Sequence, residues 1–264
     1  MGSGIIKKIA LMVLAMVSTL SLAQAQEGHF EARQFTSGNQ VLNYRMLKPA
    51  HFEQGKQYPL VVFLHGSGER GNDNKIQLVH GASVFTNAEN MAKHPAIVIF
   101  PQCPKDQSWV KMSRTHKKGE DATFLFPKTK KPQPAMALVN ELVDSLRASG
   151  QVNKKQVYVM GLSLGGFGTL DCLQRWPHKY AAAVVICGGN NPELAHRYRR
   201  KPIWFFHGSK DDIVPNHYSR AIYNKIKKYN SGTKYTLVEG ANHNSWDSAF
   251  ATPELLDWLF QWKK

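Results

Sequence analysis

The fold of this chain is decided by one stretch, Val157-Tyr158-Val159-Met160-Gly161-Leu162-Ser163-Leu164-Gly165-Gly166. An apolar run leads into the pattern Gly-x-Ser-x-Gly, which is typical of a buried strand that turns sharply into a helix. Glycines two positions before and after the serine remove side chains that would collide with neighbouring backbone. The pattern therefore predicts that Ser163 projects from a strained turn at a helix N-terminus, where N–H groups stabilise negative charge.

Short apolar runs recur on both sides of this stretch. They predict buried parallel strands at 58–64, 96–100, 156–160, 181–186, 203–206 and 235–238. Two alternating stretches, 29–34 and 41–48, predict antiparallel strands at the edge of the same sheet.

Helical patterns lie between these runs, at 135–149 and 218–229. A last helix is expected at the C-terminus, with Thr252 as its N-cap residue and Pro253 in its first turn. The alternation predicts a doubly wound, mostly parallel α/β sheet, whose ligands bind at the carboxyl ends of the strands.

The N-terminus has the pattern of a targeting segment. Lys7 and Lys8 precede an apolar run that ends in Ala23-Gln24-Ala25, the small-x-small pattern of a signal-peptidase site. The run, of about 15 residues, is too short to span a bilayer comfortably. We therefore predict a signal peptide at 1–25 and a single catalytic domain at 26–264. The protein is expected to be secreted or periplasmic and to meet the membrane only transiently, through the signal peptide.

The chain is strongly basic, with 34 Lys and Arg against 19 Asp and Glu among 264 residues, a net charge of +15. For an exported protein, this charge favours an acidic polysaccharide or an anionic cell envelope as partner, and no nucleic acid is expected. Hydrophobic residues at 42% and charged residues at 20% exclude a disordered or fibrous protein. Many of the cations fall in one segment, 105–131, which is either solvated surface or a rim that attracts anionic substrate.

Three cysteines, Cys103, Cys172 and Cys187, allow at most one disulfide in an oxidising compartment, and the sequence leaves the pair open. They do not fall in metal-ligand pairs, and His-Glu-x-x-His is absent from the sequence. We therefore expect no metal.

A serine nucleophile needs a base, and the base needs an orienting carboxylate. The run at 203–206 is followed by His207-Gly208-Ser209-Lys210-Asp211-Asp212, and the run at 235–238 by Glu239-Gly240-Ala241-Asn242-His243. An acid and a histidine thus each follow a later strand. We predict a triad of Ser163, His243 and an aspartate at 211 or 212, whereas His65 and His207 are expected to support loops.

The turn after 58–64 reads His65-Gly66-Ser67-Gly68-Glu69-Arg70-Gly71. One oxyanion donor should be the N–H of Leu164, and this turn should supply the other. Ser67 is the expected donor, with Gly66 and Gly68 as alternatives.

The same turn matches the dinucleotide-binding pattern Gly-x-Gly-x-x-Gly. That pattern requires an acid at the end of the next strand, where this chain has Pro101-Gln102. An exported protein also meets little nicotinamide cofactor. We therefore expect no cofactor.

Five motifs, at 65–71, 101–104, 161–166, 207–215 and 240–246, occur together in this chain. They resemble the phospholipase/carboxylesterase branch of the α/β-hydrolases, including its polyhydroxybutyrate-depolymerase-like, feruloyl-esterase-like and "predicted peptidase" members. The resemblance runs from about residue 41 to the C-terminus. In the family pattern His-Gly-x-x-Asp-x-x-Val-Pro the acid is the fifth residue, which selects Asp211 over Asp212. The connection 104–134 has no assured counterpart.

The resemblance implies an α/β-hydrolase fold and a serine carboxylic-ester hydrolase that acts through an acyl-enzyme on small-molecule or polysaccharide esters. A peptidase with the same triad is the nearest alternative, although amides are harder to cleave because the amine leaves poorly. A non-catalytic binding protein on the same scaffold is a second alternative, against which the intact triad argues.

Overall fold

The computed structural model describes residues 29–264, so the expected signal peptide at 1–25 lies outside the described residues. The strands are β1 (Glu31–Ser37), β2 (Gln40–Leu47), β3 (Tyr58–Leu64), β4 (Ile97–Pro101), β5 (Ser113–Thr115), β6 (Thr123–Leu125), β7 (Val152–Leu162), β8 (Ala182–Ile186), β9 (Ile203–Gly208) and β10 (Lys234–Val238). Eight of them form one sheet in the order β1-β2-β4-β3-β7-β8-β9-β10, and β5 pairs with β6 separately.

The main sheet is antiparallel only at one edge, where β2 pairs with both β1 and β4. The pairs from β4 through β10 are all parallel. This arrangement confirms the predicted doubly wound sheet with antiparallel N-terminal edge strands.

Apolar side chains cover both faces of the central strands. In β3, Leu60, Val62 and Leu64 belong to one buried cluster, whereas Val61 and Phe63 belong to the other. Successive strand residues point to opposite faces, so a continuous apolar run is needed where helices cover both sides. This explains why the runs in the sequence predicted the parallel strands.

The helices are α1 (Ala82–Thr86), α2 (Ala88–Lys93), α3 (Pro134–Ala148), α4 (Leu164–Arg175), α5 (His217–Ile226), α6 (Trp246–Phe250) and α7 (Leu255–Phe260). Buried residues of α3, α4 and α5 pack in one cluster, and those of α1, α6 and α7 pack in the other, so helices cover both faces. Among residues 29–264, no helix has the length and apolar character needed to cross a membrane.

The start of the last helix was predicted wrongly. Thr252 does not cap α7; its hydroxyl donates to the carbonyl of Ser248 at 2.9 Å, and Glu254 occupies the cap position. The hydroxyl of Thr252 is thus directed at the preceding turn, and α7 begins two residues after Pro253, at Leu255. The short helix α6, which precedes Thr252, carries too few turns to leave a periodic pattern in the sequence.

The three cysteines are all buried and free, so the disulfide that the compartment allowed does not form. The Cys172 sulfur, on α4, lies 3.3 Å from the sulfur of Met136 on α3. Cys187 directly follows β8, with a positive φ of 39°. Each thiol is separately enclosed in the core, and burial raises its pKa.

Candidate active site

The turn between β7 and α4 has the strained geometry that the Gly-x-Ser-x-Gly pattern predicts. Ser163 adopts φ 53° and ψ −117°, which L residues rarely adopt. Its N–H donates to the carbonyl of Ile186 at 2.9 Å, which ties the turn to the end of β8. A Cβ on Gly165 would overlap the carbonyl of Leu64, and one on Gly161 would crowd the same atom. Only glycine therefore permits this approach of the strand and the helix.

Ser163, His243 and Asp211 form a continuous chain of hydrogen bonds. Nε2 of His243 lies 2.9 Å from Oγ of Ser163, and Nδ1 lies 2.9 Å and 3.1 Å from the two carboxylate oxygens of Asp211. A carboxylate only accepts, so Nδ1 carries the proton and Nε2 is left to accept from the serine hydroxyl. This tautomer is the one that a general base needs.

The carboxylate of Asp211 is enclosed, with a side-chain exposure of 0%. It accepts hydrogen bonds from the N–H groups of Ile213 and Val214, at 3.1 Å and 2.9 Å. Burial raises the pKa of this carboxyl, but hydrogen bonds from His207 and His243 outweigh it and hold the pKa well below its usual range. Asp211 is therefore ionised at neutral pH.

Asp212 is exposed, and its backbone, not its carboxylate, contacts Asn242. Its N–H donates to Oδ1 of Asn242 at 3.1 Å, and the same oxygen accepts from the N–H of His243 at 2.7 Å. Asn242 thus joins the loop after β9 to the loop after β10. Sequence reasoning missed this residue, whose one signal was its position directly before His243.

Two buried histidines hold the loops around the site. Nε2 of His207 lies 2.8 Å from the carbonyl of Val214, which only accepts, so this nitrogen carries the proton. Nε2 of His65 accepts from the N–H of Cys103 at 3.0 Å, and its Nδ1 donates to the carbonyl of Gly66 at 2.6 Å. Burial lowers the pKa of His65 to about 4, so this imidazole stays neutral.

The glycine-rich turn after β3 lies against Ser163. A Cβ built on Gly66 would be 3.7 Å from Cβ of Ser163, and Ser67 begins the short 3-10 turn that follows. Leu164 is the first residue of α4, and the first N–H groups of a helix have no partner within it. Leu164 directly follows Ser163 and Ser67 directly follows Gly66, and donation from both N–H groups to an oxyanion stays a prediction.

A wall of the site that sequence reasoning missed comes from three separate segments. The ring of Trp246 lies 5.6 Å from that of His243 and 5.1 Å from that of His80. Nε2 of His80 is 3.8 Å from Oε1 of Glu69. Burial raises the pKa of Glu69, partly offset by His80. These residue types are too common and too far apart in sequence to have given a signal.

Potential metal-ligand atoms of Cys187, Asp211 and His243 all lie within 4.8 Å of one another. Burial raises the pKa of the Cys187 thiol far above its usual range, so the thiol stays protonated and is a poor ligand. The carboxylate and the imidazole already bond to each other. The donor set fits a hydrogen-bonded site better than a metal centre.

Part of the basic segment 105–131 forms the β5–β6 hairpin beside the start of α4. The N–H of Phe124 donates to the hydroxyl of Tyr218 at 2.7 Å, and the Phe124 ring packs 5.4 Å from that of Phe167. The N–H of Phe167 donates to the carbonyl of Ser163, so the hairpin packs one helical turn from the serine. The guanidinium of Arg114 lies over the Phe124 ring at 5.8 Å.

In chain order, a serine follows β7, a buried aspartate follows β9 and a histidine follows β10 of this sheet. This order on a doubly wound sheet defines an α/β-hydrolase. Residues 51–253 match the phospholipase/carboxylesterase family. Because the match covers more than half of the chain, the protein belongs to that family of ester hydrolases, as its motifs indicated.

Three other proteins are similar to this chain. A poly(3-hydroxyalkanoate) depolymerase C from Paucimonas lemoignei is 27% identical over 180 residues, 68% of this chain and 38% of the depolymerase. A bifunctional acetylxylan esterase/xylanase from Neocallimastix patriciarum is 29% identical over 76 residues, 29% of this chain and 11% of that protein. The crystal structure of a thermostable esterase superposes with a TM-score of 0.80 at 30% identity, covering 91% of this chain and 64% of the esterase. The chain thus spans less than two thirds of each relative.

Proposed function

We propose that the chain is a serine hydrolase that cleaves carboxylic esters through an acyl-enzyme intermediate. The observation that carries the proposal is the 2.9 Å contact between Oγ of Ser163 and Nε2 of His243. The other nitrogen of that imidazole bonds to the buried carboxylate of Asp211, which fixes the basic tautomer. Membership of the phospholipase/carboxylesterase family supports the same reaction.

In the first half of the reaction, His243 removes the proton of Ser163 as Oγ attacks the ester carbonyl. Asp211 stabilises the imidazolium that forms. The N–H groups of Leu164 and Ser67 donate to the oxyanion. His243 then protonates the departing alcohol, which leaves the acyl group on Ser163. In the second half, His243 activates a water that hydrolyses the acyl-enzyme. These steps require no cofactor.

The substrates are small-molecule esters or esters carried by polysaccharides. Two relatives are named for polymeric esters, a poly(3-hydroxyalkanoate) and an acetylxylan, which supports a polymer as the natural substrate. The N-terminal sequence, with Lys7 and Lys8 before an apolar run and Ala23-Gln24-Ala25 after it, supports export. We infer a secreted or periplasmic enzyme in which residues 26–264 form one catalytic domain.

The proposal is tested with a panel of acetyl, butyryl, long-chain and feruloyl esters and one chromogenic peptide amide. We expect kcat/KM to be far higher for at least one ester than for the amide. Ser163→Ala should lower kcat by on the order of 10⁴-fold or more. Ser145→Ala is the matched control: it removes a hydroxyl from an exposed position of α3, so its activity should stay close to wild type.

Two results would overturn the proposal in different ways. An amide cleaved faster than every ester would make the protein a peptidase. A folded protein that turns over no member of the panel, and that behaves identically after Ser163→Ala, would make it a binding protein on a hydrolase scaffold.

A further inference from the structure

A basic cavity of about 460 Å³ lies beside the end of α4 that is remote from Ser163. Six of its lining residues carry the argument: Lys128, Lys130, Gln174, Arg175, Trp176 and Arg197. Arg175 ends the helix that starts directly after Ser163. With a rise of 1.5 Å per residue, the cavity is roughly 18 Å from the serine along the helix axis.

The cavity has an excess of positive charge. The guanidinium of Arg175 pairs with the buried carboxylate of Asp171 at 2.6 Å, and Lys128 pairs with Glu193 at 2.8 Å. Both side chains of the Lys128–Glu193 pair are exposed, so this ion pair is weak. Lys130 and Arg197 are exposed, and within residues 29–264 they form no ion pair. Two cations thus remain available for an anion.

One buried polar atom of a residue that lines the cavity lacks a partner. Gln174 is 8% exposed, and its Nε2 donates to Asp171 at 2.6 Å. Its Oε1 is buried and accepts no hydrogen bond from any described residue. A rotation of the amide toward the cavity would let this oxygen accept from a ligand hydroxyl.

The neighbouring indole of Trp176 is partly exposed and offers an apolar face. Cations for a carboxylate, an acceptor for a hydroxyl and an aromatic face for a ring are together the groups that would recognise an acidic sugar. A simple inorganic anion would use only the cations.

A second cavity, of about 360 Å³, is lined by Phe126, Asn190 and Tyr218 among others and lies nearer to the start of α4 than the basic cavity does. The Phe126 ring is 5.2 Å from that of Phe167, one helical turn after Ser163. Successive parts of the same two segments line the two cavities: 124–127 and 190–192 line this one, and 128–132 and 194–197 line the basic one. An extended chain that follows these segments would pass from the basic cavity toward the serine.

We propose that the basic cavity is a subsite for an acidic sugar unit, so that the ester cleaved at Ser163 is carried by a polysaccharide containing uronic acids. The substrate assignment rests on the proposed ester hydrolase function. The proposed binding of the sugar does not rest on that function, because no residue of the triad lines the cavity.

Binding is measured by calorimetry in low salt with the Ser163→Ala protein, which cannot turn the ligand over. The probes are trigalacturonate and the neutral galactotriose. We expect trigalacturonate to bind at least tenfold more tightly, and the double variant Lys130→Gln, Arg197→Gln to remove most of that difference. The matched control is Lys154→Gln, Lys155→Gln, which removes the same charge from an exposed site at the start of β7 and should leave affinity unchanged.

Three outcomes would overturn the subsite. Equal affinity for trigalacturonate and galactotriose would show that the cations of the cavity do not recognise the carboxylates. An equal loss of affinity in the two double variants would leave only non-specific attraction to a basic protein. Tighter binding of inorganic sulfate or of a single-stranded oligonucleotide than of trigalacturonate, through the same cations, would assign the cavity to another anion.

The failure of either proposal can be recognised separately. If trigalacturonate binds as expected but the wild-type protein hydrolyses no ester, the ester hydrolase proposal fails and the subsite stands. If esters are hydrolysed but trigalacturonate does not bind, the subsite is wrong and the reaction stands.

Discussion

The indole ring of Trp246 stands edge-on to the imidazole of His243, with ring centroids 5.6 Å apart and ring planes at 86°. Asp211 holds only the Nδ1 side of this imidazole. The aromatic contact restricts the remaining rotation and so keeps Nε2 directed at Ser163. Trp246 is thus a positioning residue for the proposed base.

Replacement of Trp246 tests this positioning. An edge-to-face aromatic pair contributes about 0.5–1.5 kcal/mol, so Trp246→Ala should lower kcat/KM for a small acetyl ester by about two- to tenfold. Trp246→Phe keeps an aromatic ring and should recover most of the loss, with an unchanged pH profile. Equal losses in the two variants, or full activity of Trp246→Ala, would contradict a positioning role.

The two adjacent aspartates should differ sharply. Asp211→Asn replaces the acceptor at Nδ1 with an amide that holds His243 in the wrong tautomer, and kcat should fall by up to about 10⁴-fold. Asp212 is exposed and contacts the site only through its backbone, so Asp212→Asn should keep kcat within about tenfold. The measurement is steady-state kinetics of both variants on the same ester. If Asp212→Asn loses activity and Asp211→Asn keeps it, the acid of the triad is Asp212 and not Asp211.

Stability should depend on pH through His65. In the unfolded chain this imidazole has a pKa near 6.5, whereas burial lowers the pKa to about 4 in the folded protein. Between these values the unfolded state binds more protons, so the free energy of unfolding falls as the pH falls from 6.5 to 4. The difference corresponds to about 3 kcal/mol.

His65→Gln removes this titration. Its free energy of unfolding is expected to be lower at pH 7, because the bond from the Cys103 N–H is weakened, but to fall less between pH 7 and pH 4. Urea denaturation across this range gives the comparison, with His116→Gln at an exposed position as the control. If the free energy of unfolding falls with pH in parallel for His65→Gln and wild type, His65 is not the source of the pH dependence of stability.

The parts of the structure that the sequence predicted are those set by local physics. A Cβ at Gly161 or Gly165 would crowd the backbone of β3, but the strained turn could be predicted because the pattern Gly-x-Ser-x-Gly lies within a few consecutive residues. The parallel strands could be read because burial on both faces demands a continuous apolar run. Asp211 and His243 could be located because each directly follows such a run.

Other features depend on tertiary packing and left no local pattern. Glu69, His80 and Trp246 come from separate segments and meet only in the folded chain. Thr252 satisfied the rules for an N-cap residue, but its hydroxyl donates to the carbonyl of Ser248 and the helix begins only at Leu255. The helices α1 and α2, of 5 and 6 residues, are too short for an apolar stripe to be recognised. The basic cavity needs two loops that the sequence could not place side by side.

The central claim is that Ser163 is a nucleophile activated by His243 and Asp211, and covalent labelling tests it most directly. A fluorophosphonate probe reacts with an activated serine and not with an ordinary hydroxyl. Intact mass analysis of the wild-type protein should give one adduct, which peptide mapping should assign to Ser163. Ser163→Ala should give no adduct, and His243→Ala should label far more slowly than wild type. Labelling of Ser163→Ala at the wild-type rate, or of wild type at another serine, would contradict the claim.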